Sequence, residues 1–254
     1  MKNILKRNDQ KTEVLLLGPP SKRESVPVDS LLVGETSIPF SIVVKTLGIT
    51  LDDDFSFDQH VSTVVSSCFF HVRSLSKVRP YLTRKTANNI AVSLILSKLD
   101  YCNSIPAGLP QTQIKNLQAA QNAAARTVTK CRKTDHITPF LRQHHWLPVH
   151  DRIHHKVLSA TYLSVHGNAP LYLSELLHFY TPSRPLTSVS RSLLDFSRPR
   201  DSKTKRYGQR AFRYVPPSLW HALPGGIRES DSIQSFKPPL KTHFFNFNRK
   251  ASQS

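Results

Sequence analysis

The stretch FDQHVSTVVSSCFFHVRSLSKVRPYLTRKTANNIAVSLILSKLD, Phe57 to Asp100, decides the fold class. Val61, Val64, Val65, Cys68, Phe69, Val72 and Leu75 recur at three- and four-residue steps and so fall on one face of a helix. Pro80 stops that helix because it cannot donate a main-chain hydrogen bond. Thr83 then suits the N-cap of a second helix whose stripe is Ala87, Ile90, Ala91, Leu94 and Ile95. A third helix fits Gln111 to Val128, with Ile114, Leu117, Gln121, Ala124 and Val128 in line and alanines supplying propensity. Further helices are expected at Val149 to Val165 and Leu171 to Leu177, and a short one from Ser232 to Phe245 carrying Ile233, Phe236, Leu240 and Phe244.

Outward from the helices the pattern weakens. Before them, KTEVLLLG (Lys11 to Gly18) reads as one strand closed by a Gly-Pro-Pro turn. SIVVKTLGITL (Ser41 to Leu51) reads as a second strand, reached through a Pro- and Ser-containing connection. Two strands are too few for an α/β domain, so residues 1–56 are expected to be the edge of a sheet whose other strands would precede Met1. Residues 57–130 are expected to form the helical bundle and residues 131–180 additional helices. Residues 181–254 are expected to form a basic arm ending in a short helix. The expected class is mostly α: a bundle preceded by a small remnant of sheet and followed by a partly irregular C-terminal region.

The 254 residues are 39% hydrophobic, enough for a real core, and carry 35 Lys+Arg against 17 Asp+Glu for a formal charge of +18. Such a surface attracts polyanions, and counterion release makes nucleic acid the natural partner. No apolar run approaches the roughly 18 residues of a spanning helix, and MKNILKRNDQ lacks a signal peptide's apolar stretch. An intracellular protein, cytoplasmic or nuclear and without a membrane partner, is the expectation. Cys68, Cys102 and Cys131 lie about thirty residues apart with no CxxC spacing, and read as small buried apolar residues rather than as a disulfide framework or zinc site.

Two basic clusters are candidate nucleic-acid contacts. Arg73, Lys77, Arg79, Arg84 and Lys85 bracket the turn between the first two helices, where Lys and Arg could meet phosphates without reading sequence. Arg184, Arg191, Arg198, Arg200, Lys203, Lys205, Arg206, Arg210 and Arg213 form the second, opposed only by Asp195 and Asp201. Phe196, Tyr207, Phe212 and Tyr214 are interleaved with them, as in proteins that fork arginines onto phosphates and stack rings under unpaired bases. Leu193, Leu194 and Phe196 are expected to anchor this arm intermittently.

Other constellations read more plainly. Asp52, Asp53 and Asp54 are adjacent carboxylates whose side chains diverge, an acidic turn before a helix rather than a metal site. His144, His145, His150, His154 and His155 include an i, i+4 pair, but no nearby Glu or Cys completes a ligand set. Partial protonation would make them part of the positive surface. Trp146 and Trp220, each beside a Leu-Pro pair, read as core anchors. No metal ligands and no cofactor are assigned.

Several phrases point to a family. LSKVRPYLTRKTANNIAVSLILSKLDYCNSIPAGLPQTQIKNLQAAQ (Leu75 to Gln121) and HITPFLRQHHWLPVHDRI (His136 to Ile153) resemble the region downstream of the catalytic core in reverse transcriptases of LINE-type, non-LTR mobile elements. HGNAP (His166 to Pro170), GQRAF (Gly208 to Phe212), PSLW (Pro217 to Trp220) and LKT (Leu240 to Thr242) follow in the family's order. Leu5 to Gly18, with Asn8 and Lys11-Thr12-Glu13, is similar to the element after the metal-binding strand, and Lys45 to His60 to the hairpin joining palm to thumb. The resemblance implies a palm remnant at 1–56, a thumb-like bundle at 57–130, and RNA or RNA–DNA duplex as a non-specific partner. It aligns Lys11 with a lysine beside the incoming nucleotide.

The parent family holds magnesium on paired aspartates in a Tyr/Phe-Ala-Asp-Asp hairpin, and this chain has no such motif. The expectation is therefore a truncated reverse transcriptase, not an enzyme as it stands, in which Lys11 is a solvated residue. The alternatives are the C-terminal part of an active RNA-directed DNA polymerase whose upstream exons are missing, or a protein-interaction scaffold derived from it. In the scaffold, the face of Val61, Val65, Phe69 and Val72 would dock a protein partner.

Overall fold

A computed structural model describes residues 8, 11–101, 108–180, 193–195 and 211–251. The protein is mostly α with a small amount of sheet, and it divides into two units, Met1–Thr63 and Val64–Ser254.

In the N-terminal unit, β1 (Val14–Leu15) leads through a short helix α1 (Pro20–Arg23) to β2 (Ser30–Val33) and β3 (Thr36–Ser41). Strand β3 is central, parallel to β1 and antiparallel to β2. The Pro- and Ser-containing connection is thus a hairpin. Its two-residue turn is Gly34-Glu35, with Gly34 at φ 70°, a value glycine adopts without steric cost.

The single strand expected over Ser41 to Leu51 is also a hairpin, β4 (Val43–Thr46) paired with β5 (Ile49–Asp52). Its turn residues Leu47 and Gly48 both have positive φ, 48° and 77°. That geometry gives the strand-matching twist of a type I′ turn, and it hid from the sequence because leucine is a poor occupant of the first position. Among the described residues, the buried apolar side chains of this unit are Ile38, Ile49, Phe57 and Val61.

Helix α2 (Asp58–Val78) starts where the acidic turn ends. Asp52 Oδ1 accepts from Phe57 N at 3.2 Å, Ser56 Oγ donates to Asp52 Oδ2, and Arg23 Nη1 pairs with Asp53 and Asp54 at 3.1 and 3.2 Å. The three aspartates are thus used in building the turn.

The Val64–Ser254 unit continues through a 3-10 turn at Arg79–Tyr81 into α3 (Arg84–Ala91), which Thr83 caps by accepting from Thr86 N at 3.1 Å. A π-helical turn, Val92–Leu96, separates α3 from α4 (Ser97–Asp100). The wider turn inserts a residue into the helical repeat and rotates the buried face. Ala87, Ala91, Ile95, Leu96 and Leu99 are consequently buried, while Leu94 of the expected stripe is exposed. Cys68 on α2 is fully buried, its Sγ 3.9 Å from Ile95 O, and burial pushes its thiol up to about 11.

Helix α5 (Gln111–Thr129) buries the expected Ile114, Leu117, Gln121, Ala124 and Val128 and ends on Lys130 at φ 59°. Gln121 is buried because Nε2 donates to Leu147 O at 2.8 Å and Oε1 accepts from Gln118. Gln118 Oε1 in turn accepts from Val149 N at 2.8 Å, at the start of α7. After a short α6 (Thr138–Gln143), α7 spans Val149–Val165, the range the periodicity predicts. Only Leu171–Ser174 (α8) of the next expected helix is helical.

The last elements are α9 (Val215–His221), α10 (Gly225–Arg228) and α11 (Ile233–Ala251), the last longer than expected. Ser232 and Ser235 cap α11 reciprocally, each hydroxyl accepting the other's backbone N–H at 3.1 Å. Helix α7 packs against α9 and α11. The core there joins Leu158, Tyr162, Leu194, Trp220, Leu223, Ile227, Phe236 and Leu240. Tyr162 Oη donates to Ser230 O at 2.6 Å. Both tryptophans are buried, as expected of core anchors.

Candidate nucleic-acid interface

Between α2 and α3 the chain turns sharply on Pro80, and Tyr81 at this turn is 89% exposed. Arg73 and Lys77 are exposed on α2, Arg84 and Lys85 on the first turn of α3. Arg84 also lies over the Phe140 ring, 5.4 Å from its centroid, and reaches Gln143 Oε1 at 3.3 Å, which holds its guanidinium at the surface.

Arg79 belongs elsewhere. It is buried, Nε and Nη2 donating to Val128 O at 3.0 and 2.7 Å and Nη1 to Leu82 O at 2.8 Å. These bonds satisfy a carbonyl in the last turn of α5, which the helix itself leaves open. The expectation that Arg79 meets phosphate is therefore corrected: its guanidinium is spent inside the protein.

Of the second basic cluster only Arg213 is described, and it is exposed. Arg184, Arg191, Arg198, Arg200, Lys203, Lys205, Arg206 and Arg210 lie outside the described residues, as do Phe196 and Tyr207. Leu194 does anchor the chain: it is buried against Trp220, and His221 Nε2 lies 3.1 Å from its N and 3.0 Å from its O. Lys11 is exposed near the start of the N-terminal unit.

The α2 face offered to a protein partner is covered in part. Val61 and Val72 are buried and Val65 and Phe69 half-buried, whereas the neighbouring Phe70 is exposed. The stripe is part of the chain's own packing, which a helix needs for most of its stability.

The histidines divide by burial. His154 stacks edge-on to His150, ring centroids 4.0 Å apart, and burial followed by the His150 charge lowers it to about 4, with Asp151 opposing. His155 is also lowered, by burial first and then by the charges of Lys241, Lys237 and Arg152, against a contact with the Lys237 backbone. His144 is lowered by burial, Arg84 and His145. Three of the five are therefore shifted toward the neutral form and contribute less to the positive surface than free imidazoles would. Among the described residues no group of His, Cys, Asp and Glu is arranged to hold a metal ion, and no helix is long and apolar enough to cross a membrane.

A second cationic place is not evident in the sequence. A cavity of about 450 Å³ is lined by Arg152, His155 and Lys156 of α7, Lys237 and Lys241 of α11, and Asp100 at the end of α4. Arg152 forks onto Asp100, Nε to Oδ1 at 2.7 Å and Nη2 to Oδ2. Burial and the Arg152 charge lower Lys241, while Asp100 raises it. The visible signal is the i, i+4 spacing of Arg152 with Lys156 and of Lys237 with Lys241; only the fold brings the two pairs to one cavity.

No match is found among protein families, curated proteins or solved structures. The function therefore rests on the residues.

Proposed function

We propose that this chain is the thumb and C-terminal portion of a LINE-type reverse transcriptase, and that it grips RNA or an RNA–DNA duplex by the backbone without extending it. The exposed Tyr81 at the turn, with Arg73, Lys77, Arg84 and Lys85 exposed on the two helices that the turn joins, carries this reading. A large aromatic left in solvent beside arginines and lysines suits a base or sugar face, with the cations on flanking phosphates. The mostly helical architecture supports the thumb assignment, and the net charge of +18 supports a polyanionic partner. The chain's 254 residues contain no Ala-Asp-Asp motif to seat catalytic magnesium.

Fluorescence anisotropy with an RNA–DNA hybrid over a salt series tests the grip. Binding should weaken steeply with salt, and changing Arg73, Lys77, Arg84 and Lys85 together to Gln should flatten the log–log slope by about 3 to 4, at about 0.9 per phosphate contact. Arg79→Met is the internal control. It should leave the slope unchanged while lowering stability by about 1–3 kcal/mol, because the Val128 carbonyl loses its donors. Negligible affinity at low salt, or affinity indifferent to salt, rejects the proposal.

A further inference from the structure

The cavity between α7 and α11 concentrates like charge in a way that packing alone does not explain. Four cations, Arg152, Lys156, Lys237 and Lys241, line it with one carboxylate, Asp100. Each helix contributes its two cations at i, i+4, a spacing that sets like charges side by side and works against the helix. Asp100 offsets this only in part, because its two oxygens are engaged by the Arg152 fork. Lys241 feels the deficit, since burial and the neighbouring Arg152 both disfavour its charged form. His155 Nε2 is buried at the same place and makes no hydrogen bond among the described residues. Leu147, Ala160 and Leu163 add apolar lining.

We propose that this cavity binds a phosphate monoester dianion. A dianion relieves the repulsion on both helices at once, and the lysine ammoniums of facing helices can donate to its several oxygens. At about 450 Å³ the space falls in the range of small-ligand sites and exceeds what a bare phosphate fills, so room remains beside the apolar lining residues for an organic body. The site lies on α4, α7 and α11, apart from the exposed cations of the α2–α3 turn, and does not depend on the nucleic-acid reading.

Titration calorimetry of the full chain with inorganic phosphate, adenosine 5′-monophosphate, sulfate and chloride tests it. Saturable binding of phosphate or the nucleotide, tighter than sulfate and chloride, supports the site. Equal affinities point to the free ion, and tighter nucleotide binding to a ligand with an organic body. Lys156→Gln, an exposed position whose change leaves the fold alone, should weaken binding about threefold, and Lys241→Gln about tenfold. Asp100→Asn should tighten it roughly threefold by removing the competing carboxylate. The Gln variants of Arg73 and Lys77 should bind phosphate as before. Phosphate and nucleotide that bind no better than chloride, or binding unchanged in Lys156→Gln and Lys241→Gln, would overturn the proposal.

Discussion

The Met1–Thr63 unit is built from strands of two to six residues and buries Ile38, Ile49, Phe57 and Val61, while Leu32, Ile42 and Leu47 stand mostly in solvent. The Val64–Ser254 unit contains α5, α7 and α11, helices of 17 to 19 residues, and gathers Trp220, Tyr162 and Phe236 into one aromatic core. Short hairpins gain little from burial and are marginal alone, whereas long helices with one apolar face recover the entropy cost of ordering. The N-terminal unit should therefore open first and most often. Both tryptophans lie in the second unit and no tyrosine lies in the first, so intrinsic fluorescence follows one unit and hydrogen exchange of the β4–β5 amides the other.

The largest effect expected is in the aromatic core. Phe236 is fully buried, its ring stacked on Tyr162 at 4.6 Å and on Trp220 at 5.8 Å. Phe236→Ala should cost about 3–5 kcal/mol by lost transfer energy and an unfilled cavity. The urea midpoint by tryptophan fluorescence should fall accordingly, with exchange in the β4–β5 hairpin unchanged. A loss under about 1 kcal/mol, or a hairpin that loosens in step, would break the contrast between the units.

Next in size is an acid sensitivity confined to the helical unit. His154 is held at about 4 in the folded chain against 6.5 for a free histidine, so the unfolded chain takes up the proton first. The stability present above pH 6.5 is then lost as pH falls through 4, on the order of 2–3 kcal/mol. His155, lowered in the same direction, adds to it. His150 and Asp151 flank His154 on α7, and the Phe244 ring of α11 faces it at 6.4 Å. Because carboxylates also titrate in this range, the readout is a difference: His154→Leu should lose less stability between pH 7 and pH 4.5 than the parent. Equal losses would show that the imidazole is solvated.

What the sequence made legible follows the same division. α2, α5 and α7 were readable because each is long and buries one face, so the apolar spacing repeats several times. The stripe of α3 failed part-way because the π-helical turn at Val92–Leu96 shifts the repeat, and no composition marks such a turn. Arg79 looked like its basic neighbours, since only the fold places the Val128 carbonyl beside it. The cavity cations were visible as i, i+4 pairs, but residues 152 and 237 are too far apart in sequence for spacing to unite them. In the N-terminal unit β4 and β5 merged into one expected strand because their turn breaks the residue rule that marks hairpins.

That rule offers the smallest and sharpest test. Leu47 sits at φ 48° and is 84% exposed, so its backbone carries the strain of the left-handed region. For a β-carbon residue this region costs roughly 1–2 kcal/mol, and asparagine tolerates it better because its short amide bonds locally. Leu47→Asn turns the loop into Asn-Gly, the preferred type I′ pair, and should stabilise the hairpin by about 1 kcal/mol. Exchange of the β4–β5 amides should slow about fivefold, while the fluorescence midpoint, which reports the other unit, stays where it was. Faster exchange would mean that Leu47 contributes contacts that outweigh its strain, and the N-terminal unit would then be better packed than its few buried residues suggest.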